Sequence, residues 1–337
     1  MGSVIPLKKS ANSAYLDLKN LIGNKLIKVE DLIELKLESE VGLIKKMSDH
    51  HLKSGGKRLR ALLTLGAAKL SGYDLGERDI NLSACVELIH SATLLHDDVI
   101  DESKLRRGMQ TTNSIWGNQS SILVGDYLLS RCFEIMVDDG DLEILKLLSS
   151  TSAKIAQGEI LQLQHKGEAD ILEEIYMNII SLKTAALFSA ATRTGACLAN
   201  SNGKEKNALE SYGKNLGLAF QIADDALDYY AKEKLFGKEI GKDFFEGKTT
   251  LPLIIIFQKG NDEERNFLSE ILKKEERNED DFSETLTLIN KYKAVEASLK
   301  RAEYFVNVSY DALGIFPDSV DKKILQNLTG FSLNRSF

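Results

Sequence analysis

The chain has 337 residues, of which 43% are hydrophobic, and a formal net charge of −7 at neutral pH. This composition supplies enough apolar surface for a large core, whereas the acidic balance argues against nucleic acid as a partner. No secretory signal and no apolar run of membrane-spanning length is present, and the three scattered cysteines form no CxxC pattern, so we expect a cytoplasmic protein.

Hydrophobic residues at helical spacing, interrupted by only three prolines, predict an all-α chain with a single domain. Residues 11–47 are expected to form two helices divided near Gly23. We expect N-terminal helices for packing or dimerisation in residues 1–50, the catalytic core in 51–258, and C-terminal helices in 259–337. The charge-dense stretch 263–281 is expected at the surface.

A glycine pair followed by basic residues opens a predicted helix that runs to Leu70, in the sequence GGKRLR from Gly55 to Arg60. Because a helix N-terminus presents free N–H groups, Lys57 and Arg60 beside it would form an anion site. Taken alone, the pattern fits an ordinary turn with solvated basic residues at least as well.

Three acids, Asp97, Asp98 and Asp101, end the next predicted helix, which spans about 79–102. Residues three and four apart share a helix face, so Asp97 and Asp101 point the same way with Asp98 beside them. Acids so close together repel unless a cation neutralises them, and oxygen ligands suit a hard ion such as Mg²⁺. By itself the cluster could equally be a solvated acidic helix end.

A second cluster with the same spacing, Asp224, Asp225 and Asp228, ends another apolar helix predicted at about 208–230. A stripe of carboxylates has no structural use in an apolar helical pattern, so the repetition favours metal binding over a solvated helix end. Two such clusters that face each other would hold a polyphosphate through shared Mg²⁺ ions.

Basic and polar residues accompany the two acid clusters along the chain. They are Arg106 and Arg107, the pair Lys183-Thr184 within a long helix predicted at 171–198, Gln221, and Lys238 and Lys248 in a glycine-punctuated segment. Arginine suits diphosphate because its planar fork donates two parallel hydrogen bonds. The two arginines could instead merely pair with neighbouring acids, and a lysine in a helix is more often simply solvated.

Together these motifs resemble those of the trans-isoprenyl diphosphate synthases of the long-chain polyprenyl type. The match is dense from Gly55 to Pro252, through GGKRLR, LLHDDVIDESKLRRG, VGDYLL, KT, FQIADDALDY and GKTTLP. The resemblance implies an all-α bundle of antiparallel helices around a deep central cavity, usually in a homodimer. It also implies Mg²⁺-dependent condensation of isopentenyl diphosphate with an allylic diphosphate, farnesyl or geranyl. The expected product is octaprenyl to decaprenyl diphosphate for quinone side chains such as that of ubiquinone, released with transient membrane-surface contact.

Carried over residue by residue, the resemblance implies metal and substrate roles. Three Mg²⁺ ions would be coordinated by Asp97, Asp101, Asp224 and Asp228, with Asp98 and Asp225 in support. The allylic diphosphate would be held by Arg106, Lys183, Gln221, Lys238 and Lys248, with Thr184 close to the cleaving bond. Isopentenyl diphosphate would be held by Lys57, Arg60, His90 and Arg107.

Product length depends on the depth of the cavity beside the helix that ends at Asp97. Short-chain relatives carry bulky aromatics four or five residues before this aspartate, where the present chain has Thr93 and Ala92. Twelve residues of helix below Asp97 make a wall of roughly 18 Å, so we expect growth beyond farnesyl length. Phe133 or Met136 on the facing helix could form a deeper floor. The alternative is that Ala92 is small only to let helices pack.

Two other functions share part of this pattern. A class I terpene cyclase uses a similar fold and Mg²⁺, but normally has one DDxxD motif and lacks the GGKxxR site. A regulatory subunit of a hetero-oligomeric prenyl synthase would tend to lose its acid clusters. The two intact clusters disfavour both. We also consider Arg335, near the end of the chain, as a residue that closes over the site.

Overall fold

The computed structural model describes residues 11–74, 76–230 and 240–333, and the regular structure in these ranges is helical apart from one short hairpin. The all-α prediction is therefore confirmed. In chain order the helices are α1 (Ala11–Ile22), α2 (Lys25–Lys36), α3 (Gly42–Lys53), α4 (Leu59–Leu70), α5 (Arg78–Ile100), α6 (Thr112–Trp116), α7 (Asn118–Asp139), α8 (Leu142–Gln164), α9 (Glu173–Ile180), α10 (Ala186–Leu198), α11 (Gly203–Leu227), α12 (Lys242–Phe245), α13 (Leu251–Lys259), α14 (Asp262–Leu272), α15 (Glu279–Tyr292), α16 (Ala294–Ala312) and α17 (Val320–Leu328). No described helix is long and apolar enough to cross a membrane.

The N-terminal region divides at Gly23, as its sequence predicted, because the chain there adopts a left-handed conformation with φ of 60° that glycine accepts without strain. It forms three helices rather than two, since an extended residue, Val41, precedes the start of α3. The division of the chain at residues 50 and 258 stays a prediction.

Helix α11 lies at the centre of the bundle and packs against both α10 and α16. The approach to α10 is close because two positions on α11 lack a side chain. A Cβ at Gly213 would lie 2.4 Å from the carbonyl oxygen of Phe188, and one at Gly217 would lie 3.1 Å from the Cβ of the same residue. Since α11 ends in the second acid cluster, this packing fixes where those acids lie relative to α10.

The long helix predicted at 171–198 is divided by a π-helical turn, Ser181–Ala185, between α9 and α10. Isolated π turns inside helices are often found at functional sites, and this one carries Lys183 and Thr184. It packs closely on α8 because a Cβ at Gly158 would lie only 2.6 Å from the backbone nitrogen of Lys183. The prediction of one continuous α-helix was wrong at this point.

A two-stranded hairpin follows α5, with β1 (Leu105–Arg106) antiparallel to β2 (Met109–Gln110). It places Arg106 and Arg107 directly after the first acid cluster. The hairpin was not predicted, because two-residue strands leave no periodic pattern.

Candidate active site

The first acid cluster lies at the C-terminal end of α5, with Asp101 as the C-cap residue. Acids at this end of a helix face the negative end of its dipole, which costs stability. Asp98 is 2% exposed and accepts hydrogen bonds of 2.8 to 3.1 Å from Nε and Nη2 of Arg106. Asp98 is thus already neutralised by a bidentate pair, unlike Asp97 beside it.

Asp97 and Asp101 differ in how their charge is balanced. Burial, opposed by Lys183 and reinforced by Glu159 and Asp101, raises the pKa of Asp97 to about 7. Burial would also raise the pKa of Asp101, but the ammonium of Lys248, 2.8 Å from its Oδ2, holds that pKa below its usual value. Asp97 therefore carries negative charge that the protein alone leaves poorly compensated.

Lys183 projects from the π turn toward α8, where two polar residues hold its ammonium. Its Nζ donates to Oε1 of Glu159 at 2.5 Å and to Oε1 of Gln162 at 2.8 Å. The other carboxylate oxygen of Glu159 is buried. Sequence reasoning did not assign Glu159 or Gln162 to the site, although polar residues in the apolar pattern of α8 were a usable signal.

The second acid cluster ends α11, with Asp228 as its C-cap. Asp225 is buried and accepts from the Tyr176 hydroxyl at 2.7 Å and from Nε2 of Gln221 at 2.6 Å. Burial raises the pKa of Asp225 to about 7, with the other two acids adding to the shift and both hydrogen bonds opposing it. Gln221 in turn accepts from the Thr184 hydroxyl at 2.8 Å, so the π turn and α11 are joined at this site. Tyr176 was missed from the sequence.

The segment 240–248 connects the two acid clusters. The backbone N–H of Asp243 donates to Oδ2 of Asp228 at 2.9 Å, and that of Lys248 donates to the Asp243 carbonyl at 2.8 Å. The Lys248 ammonium then reaches Asp101 at 2.8 Å and Glu246 at 2.7 Å. One lysine therefore spans from the loop behind the second cluster to the first cluster.

Asp243 was not among the predicted site residues, although it lies between predicted basic positions in the same loop. Burial, reinforced by Asp225 and Asp228, raises its pKa well above the usual range. Lys242 beside it donates to the hydroxyl of Ser103 at 3.0 Å. Two predicted residues, Lys238 and Arg335, lie outside the described residues.

A cleft opens between these elements. Its lining includes Gln162, Tyr176, Lys183, Thr184, Gln221, Asp225, Asp243 and Lys248. A neighbouring recess is lined by Ile100, Asp101, Glu159, Gln162, Leu163, Lys166 and Lys248. Because Gln162 and Lys248 line both, the two acid clusters border one continuous region.

A basic pocket lies on the other side of Arg106, where α4 begins. Arg107 donates to the carbonyl of Gly55, and a Cβ at Gly56 would lie 2.9 Å from the Nη1 of Arg107. The predicted glycine pair therefore lets an arginine approach the backbone, which an ordinary solvated turn would not require. The Arg60 guanidinium lies 4.6 Å from the centre of the Phe188 ring.

Two histidines in this pocket are held neutral. Burial, together with Arg60, Arg106 and other nearby cations, lowers the pKa of His90 well below its usual value. Burial and the surrounding arginines lower the pKa of His51 to about 3. Such a concentration of positive charge is the electrostatic signature of an anion site. Lys57, the remaining predicted member, is exposed with its ammonium 4.7 Å from the centre of the Phe331 ring.

Below Asp97, helix α5 packs against α7. Ala92 is fully buried and Thr93 is half-buried, with its hydroxyl donating to the His90 carbonyl at 2.8 Å. On α7, Met136 is 2% exposed, whereas Phe133 keeps 50% of its surface exposed. Met136, rather than Phe133, thus has the buried position that a floor between these helices would need.

The chemistry of the acids fits a hard divalent cation, because carboxylate oxygens are the donors that Mg²⁺ prefers. Burial raises the pKa of Asp97 and of Asp225 to about 7, so the protein alone disfavours their ionised forms, which a bound cation would favour. Within the described ranges, no three His, Cys, Asp or Glu side chains form a group that could hold a metal ion by themselves. Any ion bound here would need oxygens from another source to complete its coordination.

Comparison with known proteins identifies close relatives of the whole chain. A family model described as polyprenyl synthetase matches residues 41–289. The octaprenyl diphosphate synthase of Haemophilus influenzae is 35% identical over 98% of this chain and 100% of its own length. The geranyl-diphosphate-specific all-trans-nonaprenyl-diphosphate synthase of Rhodobacter capsulatus is 36% identical over 95% of this chain and 97% of its own. The crystal structure of polyprenyl synthase from Caulobacter crescentus, complexed with calcium and isoprenyl diphosphate, superposes with a TM-score of 0.91 at 40% identity, covering 95% of this chain and 98% of that one.

Proposed function

The chain belongs to the polyprenyl synthetase family, and we propose that it is a long-chain trans-polyprenyl diphosphate synthase dependent on Mg²⁺. As a member of this family it is a prenyltransferase. The observation that carries the proposal is the bridge from Lys248 to Asp101, which joins the segment behind the second acid cluster to the first cluster across one cleft. The substrates would be an allylic diphosphate, farnesyl or geranyl, and isopentenyl diphosphate.

The allylic diphosphate would lie between the two acid clusters. Asp97, Asp101, Asp224 and Asp228 would hold three Mg²⁺ ions per site, with diphosphate oxygens completing the coordination. When bound, Mg²⁺ neutralises the negative charge that grows on the departing diphosphate. Asp98 and Asp225 would not lead the coordination of Mg²⁺. Asp225 would instead hold Gln221 and Tyr176 in place through its hydrogen bonds, and Asp98 would hold Arg106.

Lys183, Lys248 and Arg106 would orient the allylic diphosphate with their cationic groups, and Lys238 is proposed to assist them. The ammonium of Lys183 is held within the cleft by Glu159 and Gln162. Fixed cations of this kind stabilise developing negative charge without reorganisation during the reaction. Thr184 lies next to Lys183 and would contact the oxygen of the bond that breaks.

Isopentenyl diphosphate would occupy the basic pocket of Lys57, Arg60, His90 and Arg107. Cleavage of the allylic carbon–oxygen bond leaves a carbocation, which the double bond of isopentenyl diphosphate attacks. A proton then leaves the new chain for the departed diphosphate. This chemistry requires no side-chain nucleophile, so the protein's task is to bind, orient and stabilise charge.

We propose a product of octaprenyl to decaprenyl length. The support is the small, buried Ala92 below Asp97, which puts no aromatic floor near the reacting centre, with Met136 placed deeper. The long-chain names of the relatives agree with this range. The three free cysteines support a reducing compartment such as the cytoplasm.

We further propose a homodimer formed through α7. Four apolar residues along this helix are exposed by 42% to 67%, namely Ile122, Leu123, Phe133 and Val137. Ile122, Phe133 and Val137 share one face of the helix, because they lie eleven and fifteen positions apart, and exposed apolar side chains on one face mark a contact surface. Analytical ultracentrifugation of the purified chain tests this, and a monomer at micromolar concentration would reject it.

The decisive test incubates the purified chain with farnesyl diphosphate, labelled isopentenyl diphosphate and Mg²⁺, followed by mass analysis of products. Long prenyl diphosphates are expected from wild type, and both Asp97→Ala and Asp224→Ala should lose most activity. Near-normal rates in both variants would remove the acid clusters from the mechanism. A hydrocarbon from the allylic diphosphate alone would indicate a terpene cyclase, and inactivity of the chain on its own would indicate a regulatory subunit.

A further inference from the structure

The turn between α14 and α15 contains an arginine whose contacts lead back to the active site. Arg277 is half-buried, and its guanidinium donates to two backbone carbonyls, those of Phe245 at 3.2 Å and of Leu272. Phe245 ends α12 in the segment that carries Asp243 and Lys248. The C-terminal region, which contains no recognisable catalytic motif, thus contacts the site's connecting segment through the side chain of Arg277.

The segment is shaped to receive this guanidinium. Gly247 has φ of 76°, and a Cβ placed there would lie 2.7 Å from Nη2 of Arg277. Its carbonyl accepts from the N–H of Gly167 at 3.0 Å. A side chain at position 247 would displace the arginine and strain the backbone, so glycine and arginine form a matched pair.

A second contact from α15 supports the other end of the segment. The Phe282 ring packs on Phe244 and Phe245 with ring centres 5.3 and 5.4 Å apart. A Cβ at Gly241, where the segment begins, would lie 2.4 Å from the same ring. Residues 241–247 are therefore clamped between α15 and the acid clusters, with Arg277 as the polar member of the clamp.

We propose that Arg277 is a positioning residue for the diphosphate site, which it serves by fixing the segment that presents Asp243 to Asp228 and Lys248 to Asp101. The role in diphosphate binding rests on the proposed function. The ordering of residues 240–249 by the Arg277 guanidinium does not depend on that function. Arg277 donates to neither acid cluster, so its effect must pass through its contacts with Phe245 and Gly247.

The primary test is hydrogen–deuterium exchange on ligand-free wild type, Arg277→Met and Arg277→Lys. Loss of one hydrogen bond should speed local opening by about three- to tenfold, so peptides covering 240–249 should exchange faster in Arg277→Met by that factor. Arg277→Lys, which keeps a donor but not the fork, should lie between. Arg265→Met is the matched control, since Arg265 likewise donates to two helix-end carbonyls, of Phe257 at 2.9 Å and Gln258 at 3.4 Å, away from this segment.

A second readout measures binding of inorganic diphosphate with Mg²⁺ by calorimetry, and the kinetic constants for both substrates. Affinity for magnesium diphosphate should fall by about three- to tenfold in Arg277→Met. The KM for the allylic substrate should rise while that for isopentenyl diphosphate stays unchanged. Arg265→Met should match wild type in every measurement.

If residues 240–249 of Arg277→Met exchange at the wild-type rate, the proposal is overturned. It is also overturned if exchange increases by the same factor throughout the chain, because that would mean a general loss of stability. If Arg277→Met does not fold, Arg277→Lys carries the same comparison. A wild-type protein without prenyl transfer would refute the proposed function but leave the exchange result intact. Normal wild-type activity with unchanged Arg277 variants would refute this inference alone.

Discussion

Replacing Asp98 with alanine should destabilise the protein more than replacing its neighbour Asp97. The Asp98 carboxylate is 2% exposed and binds Arg106 through bonds of 2.8 to 3.1 Å. Alanine at this position leaves the guanidinium of Arg106, itself 23% exposed, without its counter-ion. Removing one partner of a buried pair costs about 3–5 kcal/mol, and the partial exposure of Arg106 favours the lower end.

The expected change in melting temperature follows from the length of the chain. At about 2.1 cal/mol/K per residue, unfolding 337 residues has an entropy of about 0.7 kcal/mol/K. A loss of about 3 kcal/mol therefore lowers the melting temperature by about 4 °C. Asp97→Ala should cause no such loss in the metal-free protein, because burial and neighbouring acids already raise the pKa of Asp97 to about 7.

Differential scanning fluorimetry without metal measures these changes directly. The variants are Asp98→Ala, Asp97→Ala and the double variant Asp98→Ala/Arg106→Met, which removes the stranded charge and should regain at least half of the lost stability. A fall of less than 1 °C in Asp98→Ala, or equal falls for Asp97 and Asp98, would show that the pair does not stabilise the fold. The whole distinction between the two acids would then be wrong.

Three further predictions concern pH, product length and helix packing. The pKa values of Asp97 and Asp225, raised from 3.8 to about 7 in the folded protein, mean that the native state binds more protons than the unfolded state between these limits. The contribution of these two acids to metal-free stability should therefore fall as pH rises from about 4 to about 7, whereas the depressed pKa values of His51 and His90 act in the opposite direction below their ordinary pKa of 6.5. Thermal unfolding should show Mg²⁺ with inorganic diphosphate stabilising more at pH 8 than at pH 6. Ala92→Phe should shorten the product while preserving turnover, and unchanged chain length by mass spectrometry would reject the tunnel. Gly158→Ala, whose Cβ would lie 2.6 Å from the Lys183 nitrogen, should lower kcat by roughly tenfold or more with helix content by circular dichroism unchanged.

Periodicity predicted the long helices well because each has an apolar face several turns long. Helix α4 ends at Leu70 as expected from the sequence, and α5 differs from its predicted span of about 79–102 by two residues or fewer at each end. The π turn at 181–185 could not be predicted in this way. It depends on the missing side chain of Gly158 on a different helix, and local periodicity carries no information about such contacts.

The motifs predicted which residues gather at the site but not which of them pair. Asp98 and Arg106 lie only eight positions apart, yet their bond requires the hairpin that turns the arginine back toward α5. The partners of Lys183 on α8 are more than twenty positions away. Such pairings are set by distances between elements, whereas spacing within one helix was enough to identify the acid clusters themselves.

The Asp98–Arg106 pair also explains how one region could hold two diphosphates of different character. On one side of it lie Asp97 and the second acid cluster. Their carboxylates would repel an anion, so cations must bind there before a diphosphate can. On the other side lie Arg60 and Arg107 with neutral histidines, where an anion needs no metal. Arg106 interacts electrostatically with Asp97 and Asp101 on the acidic side and with His90 and Arg107 on the basic side, so the pair lies at the boundary between the two environments. We infer that the allylic diphosphate enters with Mg²⁺ and isopentenyl diphosphate without it, so chelation should weaken binding of the first substrate and leave that of the second nearly unchanged.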